Sequence, residues 1–308
     1  MFCSTITPIV RGVVICCALV LGGCSLVPMA PLTEVRIGDR VDGGEVRAAH
    51  LIEISGVAAS RRYPGLLWVH NDSGDTNRLY LLDRDGKYYG ELWLDGCSAR
   101  DWEDLAAGPG PQPDEHYLYV GDVGDNLAQF PERQICRVAE PALTLGKQVF
   151  SKHASADVLR VRFTDRPRDA EALMVDPRTK DIYIVTKREA QVLLYRLPYP
   201  QPFGGRLDVA PEGELPVSGV VAGDVSPDGG EILLKTMSEI YYWRVAAGAT
   251  WMETLQRPPQ RVPYVRELQG EAVAWAADGS GYFTLSEKVM GLRPHVYFYP
   301  RLSPLPTP

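Results

Sequence analysis

Short apolar runs of five or six residues recur along this chain, most of them opened by an acidic residue and reversed by a Pro or Gly turn. The clearest unit is Asp169-Ala170-Glu171-Ala172-Leu173-Met174-Val175-Asp176-Pro177, answered by the run Ile182–Lys187. Asp101-Trp102-Glu103-Asp104-Leu105-Ala106-Ala107-Gly108-Pro109 is its nearest copy. Glu271–Trp275 with Tyr282–Glu287, Val221–Pro227 with Ile232–Thr236, and Glu53–Ala59 with Leu66–Asn71 complete the set. Runs this short, bounded by turn residues and rich in β-branched and aromatic side chains, predict strands. A third strand is predicted in each unit: Arg78–Asp83, Gln134–Val138, Gln191–Leu197, Glu239–Val245 and His295–Tyr299. Asp85-Gly86, Asp228-Gly229 and Asp278-Gly279 mark tight turns. No convincing helical period follows the first two dozen residues.

Aligning Ser55, Glu103, Glu171, Val221 and Glu271 gives increments of 48, 68, 50 and 50 residues. A strand-only repeat near 50 residues predicts an all-β fold, a β-propeller. Five blades fit the copies; six would require a blade within the long second repeat, whose excess, Pro109–His116 and Pro141–Ala156, has loop composition. Alternating runs before each later repeat (Tyr88–Leu94, Val158–Phe163, Arg206–Val209 and Arg261–Arg266) read as the outer strands of the preceding blades. The last repeat lacks an outer strand, while Glu34–Ile37 and Glu45–Leu51 precede any blade. An N-terminal strand closing the ring satisfies both and removes two open sheet edges.

The chain starts differently. Arg11 is the only charge in residues 1–23, Gly12–Leu21 is apolar, and Leu21-Gly22-Gly23-Cys24 follows. The apolar run is too short to span a bilayer as a mature helix. These four residues resemble the lipobox of bacterial lipoproteins, which implies a signal peptide over 1–23, acylation of Cys24 and a tether over 24–32 ahead of one propeller domain over 33–308. The alternative is an ordinary secretory signal with an incidental cysteine. Ser25 after the cysteine implies an outer-membrane anchor facing the periplasm. Without residues 1–23 the chain holds 31 Lys and Arg against 39 Asp and Glu, a net charge of −8. That balance argues against a nucleic-acid partner. Cys97 and Cys136 are then an even pair in an oxidising compartment, bonded or free.

If first strands line the channel, the antiparallel hairpin puts their starts beside the second-strand ends. One mouth then gathers Glu103, Glu171 and Glu271 with Asn71, Asp122, Lys187 and Glu287; Glu53, Asp101 and Asp169 lie two residues upstream. Val221 breaks the series, with Asp224 three residues on. Carboxylates about 7 Å apart repel by about 2 kcal/mol per pair at an effective dielectric near 20. Lysines (Lys187, Lys288, Lys235), protonation or a hard cation can relieve this. Ca²⁺ suits oxygen donors on strand ends, with Glu103, Glu171 and Glu271 as its candidate ligands. Asp72-Ser73-Gly74-Asp75 and Asp122-Val123-Gly124-Asp125 are candidate oxygen-donor loops or simply tight turns. The five histidines show no zinc spacing; His70 is a candidate base or a structural hydrogen bonder.

The acidic-x-Glu-x-Leu opening and the Ser-Pro-Asp-Gly turn resemble bacterial TolB-like and phytase-like propellers. More distantly they resemble the calcium-dependent gluconolactonase and paraoxonase type. Asp-Trp-Glu-Asp, Gly-Asp-x-Gly-Asp-Asn and Gln-Gly-Glu-Ala are similar to runs in uncharacterised bacterial propellers. The resemblance implies a channel able to hold a metal, without naming a reaction. Three functions fit: a lipid-anchored propeller binding a small ligand or cation, a Ca²⁺-dependent hydrolase, and a protein-interaction scaffold.

Overall fold

The computed structural model describes residues 1–2 and 34–304. Residues 3–33, which hold the rest of the expected signal segment, Cys24 and the tether, lie outside the described residues. The chain runs β1 (Val41–Glu45), β2 (Ile54–Ala59), β3 (Leu66–Asn71), β4 (Arg78–Asp83), β5 (Tyr88–Asp95), β6 (Trp102–Pro109), β7 (His116–Asp122) and β8 (Arg133–Ala139). It continues through β9 (Phe150–Ser155), β10 (Asp157–Phe163), β11 (Ala170–Val175), β12 (Ile182–Thr186), β13 (Leu193–Leu197), β14 (Arg206–Val209) and β15 (Pro211–Glu214). Then come β16 (Val220–Val225), β17 (Glu231–Thr236), β18 (Ile240–Arg244), the helix α1 (Trp251–Leu255), β19 (Gln260–Val262), β20 (Ala272–Trp275), β21 (Gly281–Leu285) and β22 (His295–Pro300).

These strands form five sheets, β2-β3-β4-β5-β9, β6-β7-β8-β10-β14, β11-β12-β13-β15, β16-β17-β18-β19 and β20-β21-β22-β1, arranged as the five blades of a propeller. The first strand of each is innermost, and β2, β6, β11, β16 and β20 pack against one another in a closed ring. The inner two strands of every blade are mostly apolar and almost wholly buried because another blade covers each face. β2, β3, β11, β12, β16 and β17 are buried at every position. Outer strands such as β10 alternate buried and open positions, as a half-covered sheet requires.

β1 pairs antiparallel with β22, Val41 opposite Phe298, and completes the fifth blade. It forms between the two N-terminal runs that the sequence suggests. Glycines supply the reason: Gly43 and Gly44 press against the Arg84–Asp85 backbone, where a Cβ would collide. Nearer the start of the domain, Val35 exchanges hydrogen bonds with the Gln260 side chain of β19 (3.0 and 2.7 Å).

The outer strands depart from the sequence expectation in two places. Arg206–Val209 does not complete the third blade; β14 runs parallel to β10 on the outer edge of the second, and β15 takes the third-blade place. Within Pro141–Ala156, expected as loop, β9 adds a parallel fifth strand to the first blade. Both edge strands are short and half-exposed, so neither needs the apolar pattern that announces a strand.

The core is a set of layers between blades. Trp68 and Trp102 lie between the first and second, and Trp243 and Trp251 between the third and fourth, with Trp275 between the fourth and fifth. Trp93 stands apart, stacked on His153 outside these layers. The helix α1 is a single turn closed by a Thr250–Glu253 capping box, which points Trp251 onto Tyr183 with ring centroids 4.0 Å apart. Cys97 and Cys136 are disulfide-bonded, with Cα atoms 6.0 Å apart.

Candidate functional site: an acidic channel mouth

Four of the five inner strands carry a bulge at the same place. The register slips between Ile54 and Gly56, Trp102 and Asp104, Ala170 and Ala172, and Val220 and Ala222. The extra residues are Ser55, Glu103, Glu171 and Val221, the positions that the repeat alignment makes equivalent. A bulge leaves its residue out of the ladder and re-aims the side chain. Glu271 stands immediately before β20 and fills the fifth place.

Around this mouth the carboxylates form three overlapping groups, Glu287–Glu271–Asp72, Asp72–Asp101–Glu103 and Glu103–Asp169–Glu171. Within each group one oxygen from each acid lies within 4.8 Å of those of the other two. Asp72 and Glu103 are shared, so the groups make a continuous arc of seven acids. Lys187 Nζ reaches into the arc, 2.6 Å from Glu171 Oε1 and 3.9 Å from Glu271 Oε1. Arg188 Nε bonds Asp169 Oδ2 at 2.6 Å. Asp169 also accepts the Asp125 amide at 2.9 Å across the blade joint. Gly124 lets the arc close: a Cβ there would stand 2.1 Å from Glu103 Oε1 and 2.5 Å from Asp101 Oδ2.

The acids outnumber the cations, and the electrostatics follow. Burial first, then neighbouring carboxylates, pushes Asp72 and Asp101 up to about 6 and Glu287 up to about 7. Glu103 is raised by burial and by Glu171. Burial also raises Glu171, against the pull of Lys187, while the surrounding acids hold the Lys187 ammonium charged. Two oxygens of the arc, Glu171 Oε2 and Asp72 Oδ1, are buried without a hydrogen-bond partner. For Glu171, only 2% exposed, that is an expensive arrangement for an anion.

Several residues that the sequence assigns to this mouth serve other ends. The Asn71 amide oxygen accepts the Ile52 and Glu53 amides (3.1 Å each), and its nitrogen donates to His50 O and Asp75. It braces the loop and has no end left for a ligand. Asp122 accepts Ser98 Oγ at 2.7 Å and the Asp101 amide at 2.8 Å, which fixes the turn that presents Asp101. Asp75 and Asp125 hold their own loops through Tyr80 and Arg78, and through Gln129, Phe130 and Arg133. Glu53 is exposed at the rim, outside the three groups. His70 is wholly buried, its Nε2 facing Gly56 and its Nδ1 on Asn71 O at 2.8 Å. Burial lowers its pKa to about 4, so it is neutral at physiological pH.

Asp224 does not replace the missing acid at Val221. It lies deeper, accepting the Trp275 amide at 2.6 Å. Asp104 is the other interior acid. Fully buried, it accepts the amides of Leu105 (2.9 Å), Leu173 (3.0 Å) and Gly223 (3.1 Å), so one carboxylate joins the inner strands of three blades. A second acid directly after Glu103, where the other repeats carry an apolar or small residue, is the sequence signal for it. Arg188 gives no such signal.

Fold and site together define a five-bladed propeller with an under-neutralised acidic channel mouth. No family model matches the chain, and no curated protein matches it. Among solved structures it is similar to a Thermus thermophilus protein provisionally described as an oxidoreductase (glucose dehydrogenase). Identity is 11%, with a TM-score of 0.47, over 86% of this chain and 100% of that one. A likeness of that size carries nothing about activity.

Proposed function

We propose that this chain is a lipid-anchored envelope propeller that binds a divalent cation, Ca²⁺ by its donor chemistry, at the acidic channel mouth. The observation that carries the reading is the buried, unpartnered Oε2 of Glu171, whose carboxylate belongs with Glu103 and Asp169 to a group offering one oxygen each within 4.8 Å of one another. Ca²⁺ takes several oxygens at about 2.3–2.6 Å, so oxygens around one ion stand within about 5 Å of each other. The arc supplies only carboxylates, without the nitrogen or sulfur that softer metals favour. Lys187, whose side chain is 21% exposed, has room to leave as a cation enters. The arc holds protons near neutral pH, so cation uptake releases protons, and affinity rises with pH across the range in which Asp72, Asp101 and Glu287 ionise.

Calorimetric titration of Ca²⁺ into chelator-treated protein tests the reading. Saturable binding accompanied by proton release is expected, and Glu171→Gln should weaken it by about tenfold or more. Heat that never saturates at millimolar Ca²⁺ leaves Lys187 as the resident counter-charge and removes the cation. The anchor is tested separately: palmitate should label the wild type and not Cys24→Ser, with the protein in the outer-membrane fraction facing the periplasm.

A further inference from the structure

The opposite end of the channel holds a second and chemically different cavity. Its volume is about 420 Å³, and every blade contributes to its wall through the turn after its inner strand. Arg61 comes from the first blade, Gly108 and His116 from the second, Val175 from the third, Val225 from the fourth and Ala277 from the fifth. Much of that wall is alanine, valine, proline and glycine. Among the described residues, Arg61 is the only lysine or arginine in it.

Arg61 is placed with care. The Glu140 carboxylate, itself 2% exposed, accepts the Arg61 and Arg62 amides at 3.1 and 3.0 Å and the Trp68 indole at 2.9 Å. It also bonds Ser60 Oγ. This grip from the neighbouring blade sends the Arg61 side chain toward the fifth blade, where Nη1 meets Ala277 O at 3.5 Å. Among the described residues no carboxylate comes within 4.0 Å of the guanidinium. Asp224 and Glu140 act on it only from further away, and their oxygens are committed to the Trp275 amide and to the Arg61, Arg62 and Trp68 donors. Burial pulls Arg61 below its ordinary value, as expected for a half-buried cation without a close counter-charge. A planar fork of donors held open in an apolar cup fits a carboxylate.

We propose that this second mouth is a binding site for a small monocarboxylate with an apolar body, its carboxylate on Arg61 and its body against Val175, Val225 and Ala277. The volume suits a molecule of metabolite size. Asp114 and Glu115 line the same cavity and are exposed, so they repel extra negative charge and select against di- and tricarboxylates. Nothing in this site depends on the acidic mouth, and it is tested with the cation chelated.

The probe is benzoate, titrated calorimetrically into the full-length protein in chelator. Saturable binding is expected, with benzamide and citrate at least about tenfold weaker. Arg61→Gln should lose binding by the same factor. Ala277→Leu narrows the cavity without touching the Glu140 anchor, and should weaken benzoate even if Arg61→Gln proves unfolded. Arg84→Gln, in a smaller neighbouring cavity on the other side of Arg61 and Ala277, should bind as the wild type does. Equal binding of benzoate and benzamide, or unchanged binding in Ala277→Leu, overturns the proposal. So does heat without saturation up to about 20 mM benzoate, an affinity too weak to be specific.

Discussion

Asp72→Asn isolates what the acidic mouth costs the fold. Burial and the nearby Glu271 and Glu53 raise Asp72 to about 6 from its ordinary 3.8. The folded state therefore keeps this proton up to about pH 6, whereas the unfolded chain releases it near pH 4. Between these values the folded state binds more protons, so stability falls as pH rises and the full cost is present above pH 6. At about 1.4 kcal/mol per unit, a shift of about two units gives a ceiling near 3 kcal/mol. Asp72 is half-buried, and screening by solvent reduces this to about 1–2 kcal/mol. The amide keeps the shape and removes the charge. In chelator, Asp72→Asn should melt with the wild type at pH 4 and about 2–6 °C above it at pH 8. Saturating Ca²⁺ should reverse the order at pH 8, because a ligand present at 100 times its Kd stabilises the wild type by about 2.7 kcal/mol and the variant loses part of that. Differential scanning calorimetry at the two pH values, with and without Ca²⁺, reads all four cases. If the variant melts below the wild type by the same margin at both pH values in chelator, Asp72 is a structural brace and the electrostatic account is wrong.

Further outcomes follow from other parts of the ring. Gly124→Ala should drive Glu103 and Asp101 apart and weaken the Ca²⁺ response in a thermal-shift assay, with about 1–3 kcal/mol lost in urea unfolding. Asp104→Ala strands three buried amides and should lose about 3–6 kcal/mol by urea titration, more than any single variant of the mouth; a loss below about 1 kcal/mol would mean water replaces the carboxylate. Deleting residues 34–50 removes β1 and the bonds of Val35, and the melting midpoint should fall rather than stay fixed. Opening the Cys97–Cys136 bond, which spans 39 residues, should lower stability by about 2–4 kcal/mol, read by denaturant unfolding with and without reductant.

The blades were legible because their inner strands are covered on both faces, and total burial forces an apolar run that no loop shows. Glu103, Glu171 and Glu271 could be grouped without coordinates, since repetition places equivalent residues at one end of the channel. What the repeat cannot display is how each polar side chain spends its bonds. Asn71 and Asp122 stand as close to the mouth in sequence as Asp72 does, yet both are consumed by their own turns. The partner of a polar edge strand is equally hidden. Arg206–Val209 reads the same whether it joins the third blade or the second, because four residues alternating charged and apolar suit either edge. Arg61 escaped notice for a different reason: its role comes from the empty space beside it, which is a property of five turns far apart in the chain.

The wandering outer segments have a mechanical consequence. Between its visits to the second blade the chain lays β9 on the first, and between its visits to the third it lays β14 on the second. Trp251, between the last two strands of the fourth blade, stacks on Tyr183 of the third, and the start of the domain clasps the fourth at Gln260 before β1 enters the fifth. Val46 and Ala48 then pack between the fifth blade and the first on the way into β2. Every seam of the ring is thus crossed by a strap belonging to another part of the chain. Linear repeat arrays fray from their ends and lose units singly. This molecule offers no free end from which to peel, so pulling or heating should give one all-or-none event, and a protease should meet either the intact ring or a wholly open chain.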